Sequence, residues 1–114
     1  MSDYPKCTWQ GGSGEKYEFS VLPIDFSFKE DQDGNYIFAK KIDNVWYAIY
    51  IGEGDLKERT EFRINDGCVV KKSATHIHAH INSNETSRKL EEQDLLNGNE
   101  EAYSPTGCNI KKGG

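Results

Sequence analysis

The stretch at residues 34–52, GNYIFAKKIDNVWYAIYIG, limits what this chain can fold into more than any other. On either side of Asp43-Asn44 lie runs rich in β-branched and aromatic residues, Tyr36-Ile37-Phe38-Ala39 and residues 45–51. Two such runs joined by a short polar loop predict a β-hairpin. The first run opens on Gly34-Asn35-Tyr36 and the second closes on Tyr50-Ile51-Gly52, which sets two tyrosines in comparable positions at its open end.

Behind the hairpin the apolar period lengthens from two to about four. Gly54-Asp55 supplies a helix start, and Leu56, Arg59, Thr60 and Arg63 then fall at i, i+3, i+4 and i+7 on one face. Gly67 interrupts the pattern, leaving Cys68-Val69-Val70 to continue or close the helix. In residues 74–81, ATHIHAHI, strict alternation predicts a strand with Thr75, Ile77, Ala79 and Ile81 on one face and His76, His78 and His80 on the other. A second helix is expected after Asn82, which has capping-box spacing to Glu85. Helical phase sets Glu92 between Leu95 and Leu96, one turn after Arg88, and turns Glu91 elsewhere. A carboxylate among leucines loses hydration and calls for a cation, either a metal or, more simply, Arg88.

At 114 residues the chain has room for one core. It divides into an N-terminal extension at residues 1–33, a domain at 34–110 and a frayed tail at 111–114. The extension holds the turn cluster Gln10-Gly11-Gly12-Ser13-Gly14 and one half-buried strand in which Tyr17, Phe19 and Val21 alternate with Glu18 and Ser20, ended by Pro23. A mean hydropathy of −0.80 leaves no apolar run long enough to span a bilayer, so no membrane partner is expected. The first residues carry no secretory pattern, and a cytoplasmic protein is the expectation. In keeping with it, the widely spaced Cys7, Cys68 and Cys108 read as reduced thiols. The net charge of −5 excludes a broadly basic nucleic-acid coat and confines any phosphate contact to local patches. Candidates for those patches are Lys40-Lys41 at the hairpin loop, Lys71-Lys72 before the third strand, and Arg88 on the second helix.

Five pieces in order, Gly34-Asn35-Tyr36, Tyr50-Ile51-Gly52, Asp55 through Arg59 (DLKER), residues 90–96 (LEEQDLL), and Pro105 with Asn109, resemble the GIY-YIG nuclease family in its small bacterial stand-alone form. The resemblance covers most of residues 34–109. It implies an α+β fold, a small three-stranded antiparallel sheet flanked by helices, here with an extra N-terminal strand. It also implies a hydrolase: a metal-dependent endonuclease that cleaves phosphodiester bonds with Mg²⁺ or Mn²⁺, with DNA as the first-choice nucleic acid. Residue by residue, the family's metal-binding glutamate falls on Glu92, its catalytic arginine on Arg59 and its paired tyrosines on Tyr36 and Tyr50. Gly52 and Asn109 fall on positions of structural support.

The chemistry suits those residue types. A phosphodiester gains negative charge as a nucleophile adds, and a hard cation with a nearby guanidinium lowers that barrier. A tyrosine near its ordinary pKa of about 10 becomes a base when cations stabilise its phenolate. The sequence leaves open which tyrosine that is. Arg63 stands where many members carry histidine or tyrosine; a guanidinium binds phosphate but cannot act as a base. The alternative reading is therefore a catalytically degenerate module that binds nucleic acid or a protein partner without cleavage. With so few basic residues, a protein partner supplying affinity is compatible with either reading. The three histidines form either a solvated strand face or a second, lower-ranked metal site in which imidazoles two residues apart share zinc.

Overall fold

A computed structural model describes residues 1–111. The hairpin is its centre: β3 (Asp33–Ile42) and β4 (Val45–Asp55) pair antiparallel, with Asp43 and Asn44 both at positive φ in the tight turn between them. The expected three-stranded sheet with one added strand is in fact five-stranded. β1 (Lys6–Gln10) and β2 (Lys16–Pro23) precede the hairpin, β5 (His76–Ile81) follows it, and the order across the sheet is β1-β2-β5-β3-β4 with every pairing antiparallel. The first 33 residues are thus not an appendage. Trp9, Phe19, Leu22 and Phe28 from that segment are all buried.

Helices cover both faces. On one side α1 (Leu56–Asp66) and the short α2 (Cys68–Lys71) pack Leu56 and Val69 against Leu22, Phe38, Ile77 and Ala79. On the other, α3 (Glu85–Gly98) sets Leu95 and Leu96 on Trp9, Phe19, Ile37 and Ile51. Asp55 caps α1 through Glu58 N–H, and Gly67 at φ 91° ends it, so residues 68–71 form a separate turn of helix instead of an extension. The cap of α3 is Asn84, which accepts from Ser87 N–H, in place of the expected Asn82. Asn82 instead orders the approach, accepting from Asn84 N–H and donating to Ser87 Oγ. Of the tail expected to fray at 111–114, residues 112–114 lie outside the described residues.

Close approach explains two glycines of the hairpin. A Cβ on Gly52 would lie 2.4 Å from the Tyr36 ring, because the two residues face each other across the ladder and the ring lies over the glycine. A Cβ on Gly34 would meet the His80 carbonyl oxygen at 2.1 Å. In the ladder Phe38 faces Tyr50 and Ala39 faces Ala48, leaving Ile49 as the extra residue of a bulge. That bulge lets Ile49 and Tyr50 both join the α1 side.

Candidate functional site

A groove of about 560 Å³ lies along the outer edge of β4, lined by Tyr50 of β4, Arg63 of α1, Glu92, Gln93, Leu96 and Asn97 of α3, Tyr103, and residues 108–111. Helices on opposite faces of the sheet meet here because β4 is an edge strand, with open space beyond it. The C-terminal segment covers that edge. Asn109 uses both atoms of its amide on one residue: Oδ1 accepts from Ile51 N–H at 2.8 Å and Nδ2 donates to the Ile51 carbonyl at 3.0 Å. Cys108 N–H donates to the Ile49 carbonyl at 2.7 Å, and Glu101 accepts from Ala48 N–H at 3.1 Å. The edge strand's free polar groups are satisfied this way, and Tyr50 between them is held in place.

Tyr36 and Tyr50 stack with ring centroids 6.1 Å apart and planes 23° from parallel. They are not equivalent. Tyr36 is 1 % exposed, whereas Tyr50 is half-buried and lines the groove. The Arg63 guanidinium sits over the Tyr50 ring at 4.2 Å, a cation–π contact that fixes both partners. Burial pushes both phenols above the ordinary tyrosine value, and the two arginines Arg63 and Arg59 pull against that rise. Glu92 bears on Tyr50 in the opposite sense, raising it further. Arg59 is exposed and its stem lies over Gly54, beside the groove. Tyr36, Arg59, Arg63 and Glu92 are therefore each within electrostatic reach of Tyr50, and Asn109 braces the Tyr50 strand.

Glu92 is half-buried, and among the described residues lining the groove it is the one carboxylate. A single oxygen donor with room for water suits a hard cation that keeps most of its hydration shell, the coordination habit of Mg²⁺. The fully sequestered carboxylate is its neighbour Glu91, 6 % exposed and 2.5 Å from His80 Nε2. Arg88 is committed inside the fold. It is 6 % exposed, its Nε donates to Glu53 at 2.9 Å, and its Nη1 donates to the Asn82 carbonyl, with Asp33 at 3.8 Å. It is thus an internal strut and offers nothing to a substrate in this arrangement. Lys72 donates to the Pro105 carbonyl at 2.6 Å, Lys71 is exposed on α2, and Lys41 lies 5.2 Å over Trp46 beside Lys40 at the hairpin tip. Along a strand that tip is about 17 Å from Tyr36.

The three histidines do not share a solvated face; each is engaged by a different neighbour. β5 is the central strand, so both of its faces are covered. His78 is fully buried, its Nδ1 accepts from Trp9 Nε1–H at 2.8 Å and lies 3.2 Å from Cys7 Sγ, and Trp46 packs nearly perpendicular to it at 4.4 Å. His80 goes to Glu91 and His76 to Thr75 at 2.8 Å. No group of three metal-binding side chains occurs among the described residues. Burial, with a smaller push from His76, lowers His78 to about 4. A depressed pKa favours the neutral ring in the fold, so its contribution is full above pH 6.5 and is lost as pH falls through about 4. The difference corresponds to about 3 kcal/mol. Urea midpoints should fall steeply between pH 6.5 and 4, and the gap between wild type and His78→Phe should narrow over that range; a constant gap would contradict the assignment.

The cysteines also depart from expectation. Cys68 and Cys108 are joined by a disulfide, and only Cys7 among the three is a thiol, raised by its burial to about 11. The bond ties α2 to the residue preceding Asn109. With it, the expectation of a cytoplasmic protein loses the support that three reduced thiols gave. Residues that sequence reasoning passed over are Gln93, Asn97, Tyr103 and Lys111, all groove-lining. The available signal was their placement: Gln93 follows Glu92, Asn97 lies one turn further on the same helix, and Tyr103 and Lys111 flank Pro105 and Asn109. No protein-family model, no curated protein and no solved structure matches this chain.

Proposed function

We propose that this chain is a divalent-metal-dependent endonuclease of the GIY-YIG type, acting on nucleic acid, with the groove beside β4 as its active site. In this reading β4, β3 and β5 are the three-stranded unit of that fold, and β1 and β2 extend it on the far side of β5. The observation that carries the reading is the meeting of Tyr50, Arg63 and Glu92 in one groove with Tyr36 and Arg59 against it. These positions are far apart in sequence; core packing accounts for the placement of the two phenols, while the two guanidiniums and the carboxylate gather beside Tyr50.

Glu92 would hold a magnesium or manganese ion, which supplies Lewis-acid stabilisation of the phosphate oxygens. Arg59, exposed at the rim, and Arg63, over the Tyr50 ring, place positive charge where the pentavalent phosphate becomes more anionic. Tyr50 is the phenol that meets the attacking water, since its side chain lines the groove while Tyr36 is sealed behind it. Its proton affinity is raised by burial and lowered by Arg63, so a bound cation or an approaching base must complete its activation. Tyr36 backs the Tyr50 ring and keeps its orientation. Arg63, standing where many family members carry histidine or tyrosine, has a specific use in this reading, because it holds Tyr50 as well as phosphate.

Purified protein with Mg²⁺ or Mn²⁺ should cleave at least one of duplex, branched or single-stranded DNA or RNA, and chelation should stop it. Arg59→Ala should slow cleavage by about 10²- to 10³-fold at unchanged thermal stability. Cleavage that survives this exchange and chelation unaltered would sink the enzyme reading.

A further inference from the structure

Beyond Glu92 the groove continues for about 7.5 Å along α3 to Asn97, the length of roughly two stacked nucleotides. Its far end differs in chemistry from the reacting end. Gln93 Nε2 donates to Asn97 Oδ1 at 3.1 Å, which fixes the two amides side by side. The pairing uses one N–H of Gln93 and one lone pair of Asn97, so each amide keeps an acceptor oxygen and a donor N–H beside it. Across from them Tyr103 packs its ring against the core, and Lys111 Nζ lies 5.2 Å over it.

Deepening the nuclease reading, on which it rests, we propose that this end is a subsite for an unpaired nucleobase neighbouring the scissile phosphate, its ring taking the place of the Lys111 ammonium over Tyr103 and its edge read by the Gln93 and Asn97 amides. An adjacent acceptor and donor match the donor–acceptor pair that each base carries on its Watson–Crick edge, and that edge is accessible only when the base is unpaired. Stacking on an aromatic ring is tolerant of sequence and adds affinity without charge. Charge is what this surface lacks. Among the described residues the cations lining the groove are Arg63 and Lys111, with Arg59 beside it; Arg88 is buried, Lys72 is engaged by Pro105, and the chain carries a net −5. A duplex held by its backbone needs many more phosphate contacts than three, whereas a short unpaired segment with one base captured needs few.

Binding measured in EDTA separates this subsite from catalysis. Fluorescence anisotropy would compare a labelled single-stranded DNA ten-mer with an abasic deoxyribose-phosphate ten-mer of the same charge. The abasic strand is expected to bind on the order of tenfold more weakly. The Gln93→Ala/Asn97→Ala double variant, whose positions are exposed and leave the core intact, should lose a similar factor on the base-bearing strand and almost nothing on the abasic one. Tyr103→Ala should behave alike, with Tyr103→Phe restoring affinity. With three cations engaged, log affinity should fall against log salt with a slope near about −2. Equal affinity for the two strands, wild-type affinity in the double variant, or no binding at all would overturn the subsite, whatever the cleavage assay shows. Binding with these discriminations but no Mg²⁺-dependent cleavage would uphold the subsite while removing the nuclease chemistry.

Discussion

A chain with both Cys68 and Cys108 changed to serine should be less stable by about 4 kcal/mol, the chain-entropy value for a cross-link closing a loop of 40 residues. The function should suffer more than the fold. The disulfide anchors Cys108 to α2, Cys108 N–H holds the Ile49 carbonyl, and the next residue clamps Ile51 through both atoms of its amide. Release of that segment exposes the β4 edge on both sides of Tyr50 and removes one wall of the groove. At a temperature where the variant remains folded, cleavage should fall at least about tenfold, the loss following from a misplaced Tyr50. Chemical denaturation of oxidised, reduced and doubly substituted protein, with cleavage assayed on each, checks both parts. The reduced wild type should match the double-serine variant. Full activity in the reduced protein would show that Asn109 holds the edge unaided.

Much of this architecture is legible in the sequence because a strong local period marks it. The hairpin at β3 and β4, the helix capped by Asp55 and the alternating strand at His76–Ile81 are each visible without tertiary information. What escapes is what neighbours decide. β1 is five residues long with Trp9 as its buried member, and its place comes from pairing with β2, which no local pattern reveals. The same strand alternation that exposes β5 suggests a wet histidine face, because nothing in it says that the strand is central. Helical phase is unforgiving as well. A rotation of about 100° separates Glu91 from Glu92, and the start of α3 at Asn84 instead of Asn82 shows how two neighbouring Asx residues offer the same local cap.

The candidate site is legible in a different way. Resemblance to a motif order singles out Tyr36, Tyr50, Arg59 and Glu92; Tyr50 and Glu92 line the groove, with Tyr36 buried behind Tyr50 and Arg59 outside the lining. The division of labour proposed for the tyrosines rests on the third dimension, since only burial distinguishes the sealed Tyr36 from the groove-lining Tyr50. The disulfide partner of Cys108 was out of reach of spacing, because chain separation carries no distance information over 40 residues. Arg88 was placed among the substrate contacts for its charge alone; Glu53, across the sheet on β4, claims it.

The largest effect of all is expected at Glu92. A glutamine there keeps the size and the groove contacts but removes the negative charge, and a neutral amide oxygen is a far weaker ligand for a hard divalent ion than a carboxylate. Among the described residues that line the groove this is the one carboxylate. In the proposed reading, losing the cation would forfeit several kcal/mol of transition-state stabilisation, at least about 10³-fold in rate. Because Glu92 also raises the Tyr50 pKa, its neutralisation lowers that phenol slightly, a change that would favour proton transfer and so works against the predicted loss. The measurement is single-turnover cleavage of a labelled oligonucleotide by wild type and Glu92→Gln across a Mn²⁺ titration, with thermal unfolding as the control for folding. The groove as a metal-assisted nuclease site predicts saturable, Mn²⁺-dependent cleavage in the wild type and none above background in a folded Glu92→Gln protein. A folded Glu92→Gln protein that cleaves at the wild-type rate with the same Mn²⁺ dependence would contradict it.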